Sequence, residues 1–291
     1  MALSAPECIW PLAATLGEGP VWWDGALWFT DIKQQAIHRF DPVGDAQSWP
    51  APSPVGFLAP RRSSHFIAGT KSGLYDFDPA TGAFSLIRAV EPQAPGNRLN
   101  DAVVDARGRL WFGSMDDEEV AATGKLYRLD DGGPRVMDEG YVITNGPAVS
   151  PDGATLYHTD TLEKIIYAFD VGAEGALGNK RVFVRIEDGA GYPDGCAVDA
   201  QGCLWTGLFG GWAARRYSPQ GALLENVKFP TANVTKLAFG GDDLTTVYAT
   251  TATKGLAPED LASQPLAGGL FRFTADVPGL PQNAVSFQVG P

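Results

Sequence analysis

An aromatic that returns every forty-odd residues, turns built from Asp, Pro and Gly, and no helical period of useful length together predict an all-β chain. The fold they specify is a six-bladed β-propeller with four antiparallel strands per blade. The recurring aromatics are Trp28, Phe66, Trp111, Tyr157, Trp205 and Tyr248, spaced 38 to 48 residues apart. Six markers at that period imply six blades.

The repeating unit is clearest at Asp194-Gly195-Cys196-Ala197-Val198-Asp199-Ala200-Gln201-Gly202-Cys203-Leu204-Trp205. A loop delivers an acidic residue into a short apolar strand, a turn runs from Asp199 to Gly202, and a second strand carries the aromatic. Related copies begin at Glu18, Asn100 and Asn145. Third strands such as Lys125-Leu126-Tyr127-Arg128-Leu129 alternate apolar and polar residues, as expected of sheets packed on one face. Fourth strands such as Arg181-Val182-Phe183-Val184 close each unit. A propeller left unclosed would expose two sheet edges, so Glu7 to Leu12 are expected to complete the sixth blade. The tail around Ala284 to Val289 is expected to pack near it. Ala257 to Ala262 offer one short helical turn, and no linker or low-complexity tract divides the chain. Residues 1–291 thus read as a single domain.

Lys and Arg total 22 against 34 Asp and Glu, a net charge of −12. That balance argues against nucleic acid or an anionic membrane as partner. Three cysteines, Cys8, Cys196 and Cys203, lack metal spacing and suit a reducing, cytoplasmic setting. No apolar run reaches membrane-spanning length, and Met1 to Pro6 lack signal-peptide character.

In a propeller the first strand of each blade lines the central channel. Glu18, Asn100, Asn145 and Asp194 should therefore meet at one mouth. Two carboxylates and two amide oxygens are hard donors suited to Ca²⁺, Mg²⁺ or Mn²⁺, with Zn²⁺ or Fe²⁺ tolerated. Asn and Asp also cap turns readily, but four in register, one of them Glu, favour the ion. Arg98 stands ready to donate to substrate oxygens, and Asp101 either orients a ligand or pairs with Arg98. The run Asp116-Asp117-Glu118-Glu119 reads by itself as a solvated turn. His38, His65 and His158 read as structural. No serine elbow, phosphate loop or dinucleotide motif is present.

Gly17-Glu18-Gly19-Pro20, Asn97-Arg98-Leu99-Asn100-Asp101, Thr144-Asn145-Gly146 and Tyr192-Pro193-Asp194-Gly195, in this order, resemble the regucalcin/gluconolactonase (senescence marker protein type) family. Ser150-Pro151-Asp152-Gly153, Tyr157 to Thr161 and Leu266 to Gly269 are most similar to bacterial sugar-acid lactonases of pentose oxidation, xylonolactonases in particular. The resemblance implies one catalytic divalent ion held by Glu18, Asn145 and Asp194, with Asp194 also the base that activates water. It assigns Arg98 and Asn100 to lactone oxygens and hydroxyls, and Glu118 to a substrate hydroxyl. The implied activity is hydrolysis of a small-molecule sugar-acid lactone. A non-catalytic calcium-binding scaffold, or a metal-dependent esterase or organophosphate hydrolase, stands as the alternative. Gly113-Ser114-Met115 departs from the pattern, in which Thr precedes Met.

Overall fold

The computed structural model of the chain describes residues 3–287. Six four-stranded antiparallel sheets form the blades, as the aromatic period predicts. Twenty-four strands, β1 to β24, and one short helix account for the regular structure of the described residues. The channel-lining strands are β2 (Gly17–Trp23), β6 (Val55–Pro60), β10 (Asn97–Val104), β14 (Thr144–Val149), β18 (Tyr192–Val198) and β22 (Val234–Gly240). These are buried along nearly their whole length. The outermost strands, such as β5 (Ala46–Pro50) and β9 (Ala83–Ala89), are mostly exposed. Each blade therefore runs from a dry inner strand to a wet outer one.

The marker aromatics sit between blades. All six are buried, none more than 6% exposed. Trp28 meets Phe66 of the next blade with ring centroids 4.7 Å apart. Trp22 stacks on Tyr248 across the junction of the first and last blades. Burying such rings stabilises the fold by roughly 2–3 kcal/mol apiece.

The Asp that precedes the turn explains why the repeat is written as it is. Asp199 is fully buried. Its Oδ1 accepts the main-chain N–H of Gln201 and Cys203 at 2.9 and 3.0 Å, shaping the turn. Its Oδ2 accepts the Trp205 indole N–H at 3.0 Å and the Arg216 guanidinium at 2.8 Å. Asp105 repeats the pattern with the N–H groups of Arg107 and Arg109, the Trp111 indole and the Arg109 side chain. One carboxylate thus caps the hairpin and fixes the rotamer of the aromatic that fills the core.

Closure follows the expectation. Strand β1 (Glu7–Trp10) pairs antiparallel with β24 (Leu270–Thr274), setting Glu7 opposite Arg272. The helix α1 (Pro258–Ser263) is a six-residue segment between the last two strands of that blade. The tail departs from expectation. Rather than packing near the sixth blade, it crosses the far end of the channel. Gly279 bridges to Asp199 of the fifth blade, Asn283 donates to Val104 O of the third, and Val285 N donates to Pro60 O of the second. Val285 also enters the core between the second and third blades, where apolar contacts outweigh a surface position on the sixth. Val289 lies outside the described residues. Between the tail and the mouth lies a channel of about 320 Å³, reached by Asp101 and Lys236 at one end and Leu280 to Asn283 at the other. No helix among the described residues is long and apolar enough to cross a membrane.

Candidate active site at the channel mouth

Every channel-lining strand breaks register with its neighbour at the same level. The irregularities fall between Glu18 and Val21, Val55 and Phe57, Leu99 and Ala102, Asn145 and Ala148, Pro193 and Cys196, and Val234 and Leu237. A bulge adds a residue to one strand and re-aims its side chain. Six bulges at one level turn six strand interiors into a ring of re-aimed positions.

Glu18, Asn100, Asn145 and Asp194 lie at these bulges, and all four are buried. Asn100 Nδ2 donates to Asn145 Oδ1 at 2.9 Å. Asn145 Nδ2 in turn donates to Thr161 Oγ1 at 3.0 Å, which fixes the amide with its oxygen facing Asn100. Glu18 and Asp194 interact electrostatically, as do Asp194 and Asp101. Burial, with the Asp101 charge added, lifts the Glu18 carboxyl from its ordinary 4.5 to about 7. Burial, together with Glu18 and Asp101, also raises Asp194 well above the usual carboxylate range. Asp194 Oδ1 is buried with no hydrogen-bond partner. A buried carboxylate oxygen without a donor is costly unless a cation meets it.

The residues therefore fit a hard divalent cation. Among the described residues no three His, Cys, Asp or Glu side chains cluster at ligating spacing. An ion at this mouth would draw on the Asn145 amide oxygen as well as the two carboxylates, a composition suited to Ca²⁺, Mg²⁺ or Mn²⁺.

The rim is more organised than a solvated turn. Asp117 accepts from Arg98 Nε at 3.0 Å, Lys33 Nζ at 3.0 Å and Lys71 Nζ at 2.8 Å, tying three blades together. Although burial acts the other way, the Lys71 and Lys33 hydrogen bonds and the Arg98 charge hold Asp117 well below the carboxylate range. Asp116 caps the loop by accepting from Val120 and Ala121 N–H. The loop thus corrects the reading of 116–119 as merely solvated: only Glu118 is exposed among its four acidic residues. Its neighbour Glu119 pairs with Lys254. Arg98 Nη1 also donates to Asn100 Oδ1, so the guanidinium is fixed from both sides.

Asp101 does not pair with Arg98. It engages Lys236 instead, a buried lysine from β22. Sequence reasoning misses Lys236 because the sixth copy carries Thr-Lys where four others carry an acid or amide and the second carries Gly56. Its place shows only in the folded register of β22 against β23 (Thr246–Thr251). Ser114 keeps the role of a hydroxyl, donating to the buried Glu91 at 2.9 Å, so the departure from Thr is chemically small. His158 is fully buried and stacked on Tyr141 with centroids 4.8 Å apart, and His38 packs against Trp10 and Phe29. Both are structural. Cys8, Cys196 and Cys203 are free thiols, and burial pushes Cys196 up to about 11.

The profile described as the SMP-30/gluconolactonase/LRE-like region matches residues 16–253. A 6-deoxy-6-sulfogluconolactonase of Pseudomonas putida is 35% identical, covering 94% of this chain and 96% of that protein. An L-arabinolactonase of Azospirillum brasilense is 37% identical, covering 88% and 87% respectively. The crystal structure of a calcium-binding regucalcin from Agrobacterium tumefaciens superimposes with a TM-score of 0.93 at 26% identity, covering 98% of both chains. The chain belongs to the SMP-30/gluconolactonase family.

Proposed function

We propose that the protein hydrolyses a sugar-acid lactone to the free aldonic acid, with a divalent ion held by Glu18, Asn145 and Asp194. The observation that carries this reading is the buried Asp194 carboxylate, with Oδ1 unpartnered and Glu18 within electrostatic reach, on a ring of channel strands that also holds the hydrogen-bonded Asn100–Asn145 pair. The relatives named as lactonases support the substrate class.

When bound, the ion supplies electrophilic polarisation of a carbonyl and a counter-charge for the oxyanion. Arg98 and Asn100 hold the ring oxygens and hydroxyls, and Glu118 accepts from a hydroxyl at the open side. Asp194 takes a proton from the attacking water. Burial raises its pKa in the ion-free protein, and a cation beside it reverses that shift and keeps it ionised at neutral pH. The water oxygen bonds to the carbonyl carbon, the ring C–O bond breaks, and the proton held by Asp194 passes to the leaving ring oxygen to make it a hydroxyl. The new acid ionises and departs as an anion from a protein of net charge −12. A pentonolactone, xylonolactone in particular, is the favoured substrate, from the likeness of residues 150–161 and 266–269.

Proton release on adding pentono- and hexono-lactones, with and without chelator, tests this reading. Chelator-sensitive hydrolysis that is lost in Asp194→Ala is expected. No turnover of any lactone would leave a non-catalytic calcium-binding propeller, and turnover of aryl esters alone would indicate an esterase.

A further inference from the structure

Of the six bulges, one presents a cation. The first, third, fourth and fifth blades bring oxygens, in Glu18, Asn100 with Asp101, Asn145 and Asp194. The second brings only Gly56, whose place a Cβ would contest with Asn100 O at 2.2 Å. The sixth brings Lys236, which is 6% exposed. Its ammonium meets Asp101 Oδ1 and lies 3.3 Å from Ala102 O. Its stem passes over Gly195, where a Cβ would stand 2.5–2.7 Å from three Lys236 carbons. The glycine after Asp194 is thus the space that lets this lysine reach across the channel. Asp101 Oδ2, the other oxygen of the pair, is buried without a partner.

The charges then count simply. Three buried carboxylates, Glu18, Asp101 and Asp194, against one buried ammonium leave two negative charges, the complement of a single divalent ion. That count covers the six bulges alone: outside them Arg98, Lys33 and Lys71 share Asp117, and Lys254 pairs with Glu119.

We propose that Lys236 is the fixed internal counter-ion of the site: by engaging Asp101 it holds that carboxylate out of the ligand set and matches the pocket to one divalent ion. It is a positioning residue, acting through Asp101. A cation bound by fewer carboxylates keeps more of its charge for polarising a substrate, so Lys236 exchanges affinity for electrophilic strength. The proposal rests on the reading that Glu18, Asn145 and Asp194 hold the ion.

The test is Mn²⁺ binding, followed by the electron-spin-resonance signal of the free ion, on full-length wild type and three variants. Lys236→Met leaves an additional unbalanced negative charge and is expected to bind Mn²⁺ about tenfold more tightly or better. Asp101→Asn removes a negative charge and is expected to bind about tenfold more weakly. The double variant restores the balance and is expected within about threefold of wild type. A purely structural role predicts the reverse: weakened binding in Lys236→Met and no recovery in the double variant. Either result, in protein with the wild-type circular-dichroism spectrum, overturns the proposal. If Lys236→Met does not fold, Asp101→Asn and the double variant decide it. Wild type that takes up no Mn²⁺ removes the ion site itself, whereas Mn²⁺ binding that ignores these substitutions removes only the counter-ion.

Discussion

Glu18→Gln should make the ion-free protein more stable while removing its affinity for the ion. The Glu18 carboxyl moves from an ordinary 4.5 to about 7 because burial and Asp101 oppose its charge. A tenfold change in a protonation equilibrium is about 1.4 kcal/mol, so ionised Glu18 costs the apo fold roughly 3 kcal/mol at pH 8. The sign follows from proton counts. Between 4.5 and 7 the folded state holds the proton more firmly than the unfolded chain, so this group withdraws stability as pH rises through that window. It withdraws nothing more above it. Glutamine keeps the acceptor for Gly19 N–H, which Glu18 Oε2 now fills at 3.1 Å, without the charge. The assay is chemical denaturation of both proteins in chelator from pH 4.5 to 8. The variant should be more stable by roughly 2–3 kcal/mol at pH 8, under about 1 kcal/mol at pH 5, and indistinguishable at 4.5. Taking the difference at each pH cancels the histidines, which titrate in the same range. Adding Mn²⁺ at a hundred times its dissociation constant should raise wild type alone, by about 2.7 kcal/mol. A variant less stable than wild type at pH 8 in chelator, or an advantage independent of pH, would refute the electrostatic account of this pocket.

Other outcomes follow from the same contacts. Asp199→Ala strands two main-chain donors, the Trp205 indole and the Arg216 guanidinium, and should lose roughly 3–5 kcal/mol by urea denaturation. Asp105→Ala, with the same four kinds of partner, should lose a similar amount. His38 is held down to about 4, chiefly by burial, so its contribution is complete above pH 6.5 and falls away toward pH 4. Replacement by Gln should flatten acid denaturation across that window by up to about 3 kcal/mol. Asp117→Ala frees Arg98, Lys33 and Lys71 at once, and should raise KM for the lactone about tenfold with a smaller change in kcat. An equal fall in kcat with KM unchanged would show that Asp117 does not act by holding Arg98.

The six blades were legible because the repeat is chemical as well as hydrophobic. Asp199 and Asp105 must precede a turn and reach a Trp six residues later, and that need is written in both copies. Strand β1 was legible for a related reason, since an unpaired edge demands a partner. The placement of Glu18, Asn100, Asn145 and Asp194 at one mouth followed from the period alone. The tail was not legible. Ala284 to Phe287 carry no pattern, and only the assembled channel offers Val285 a pocket between two blades. Lys236 escaped for a similar reason, because its meaning lies in a register shift and in a partner, Asp101, 135 residues away. The acidic loop misled because four like charges in sequence suggest solvation, whereas Asp117 is met by cations from three separate blades.

The most direct test of the account is an anomalous-scattering map from crystals of the protein grown with Mn²⁺. The account predicts one strong peak within ligating distance of Glu18, Asn145 and Asp194 oxygens, and none in crystals of Asp194→Ala. A map with no peak at that mouth, or with the ion elsewhere in the channel, would contradict it.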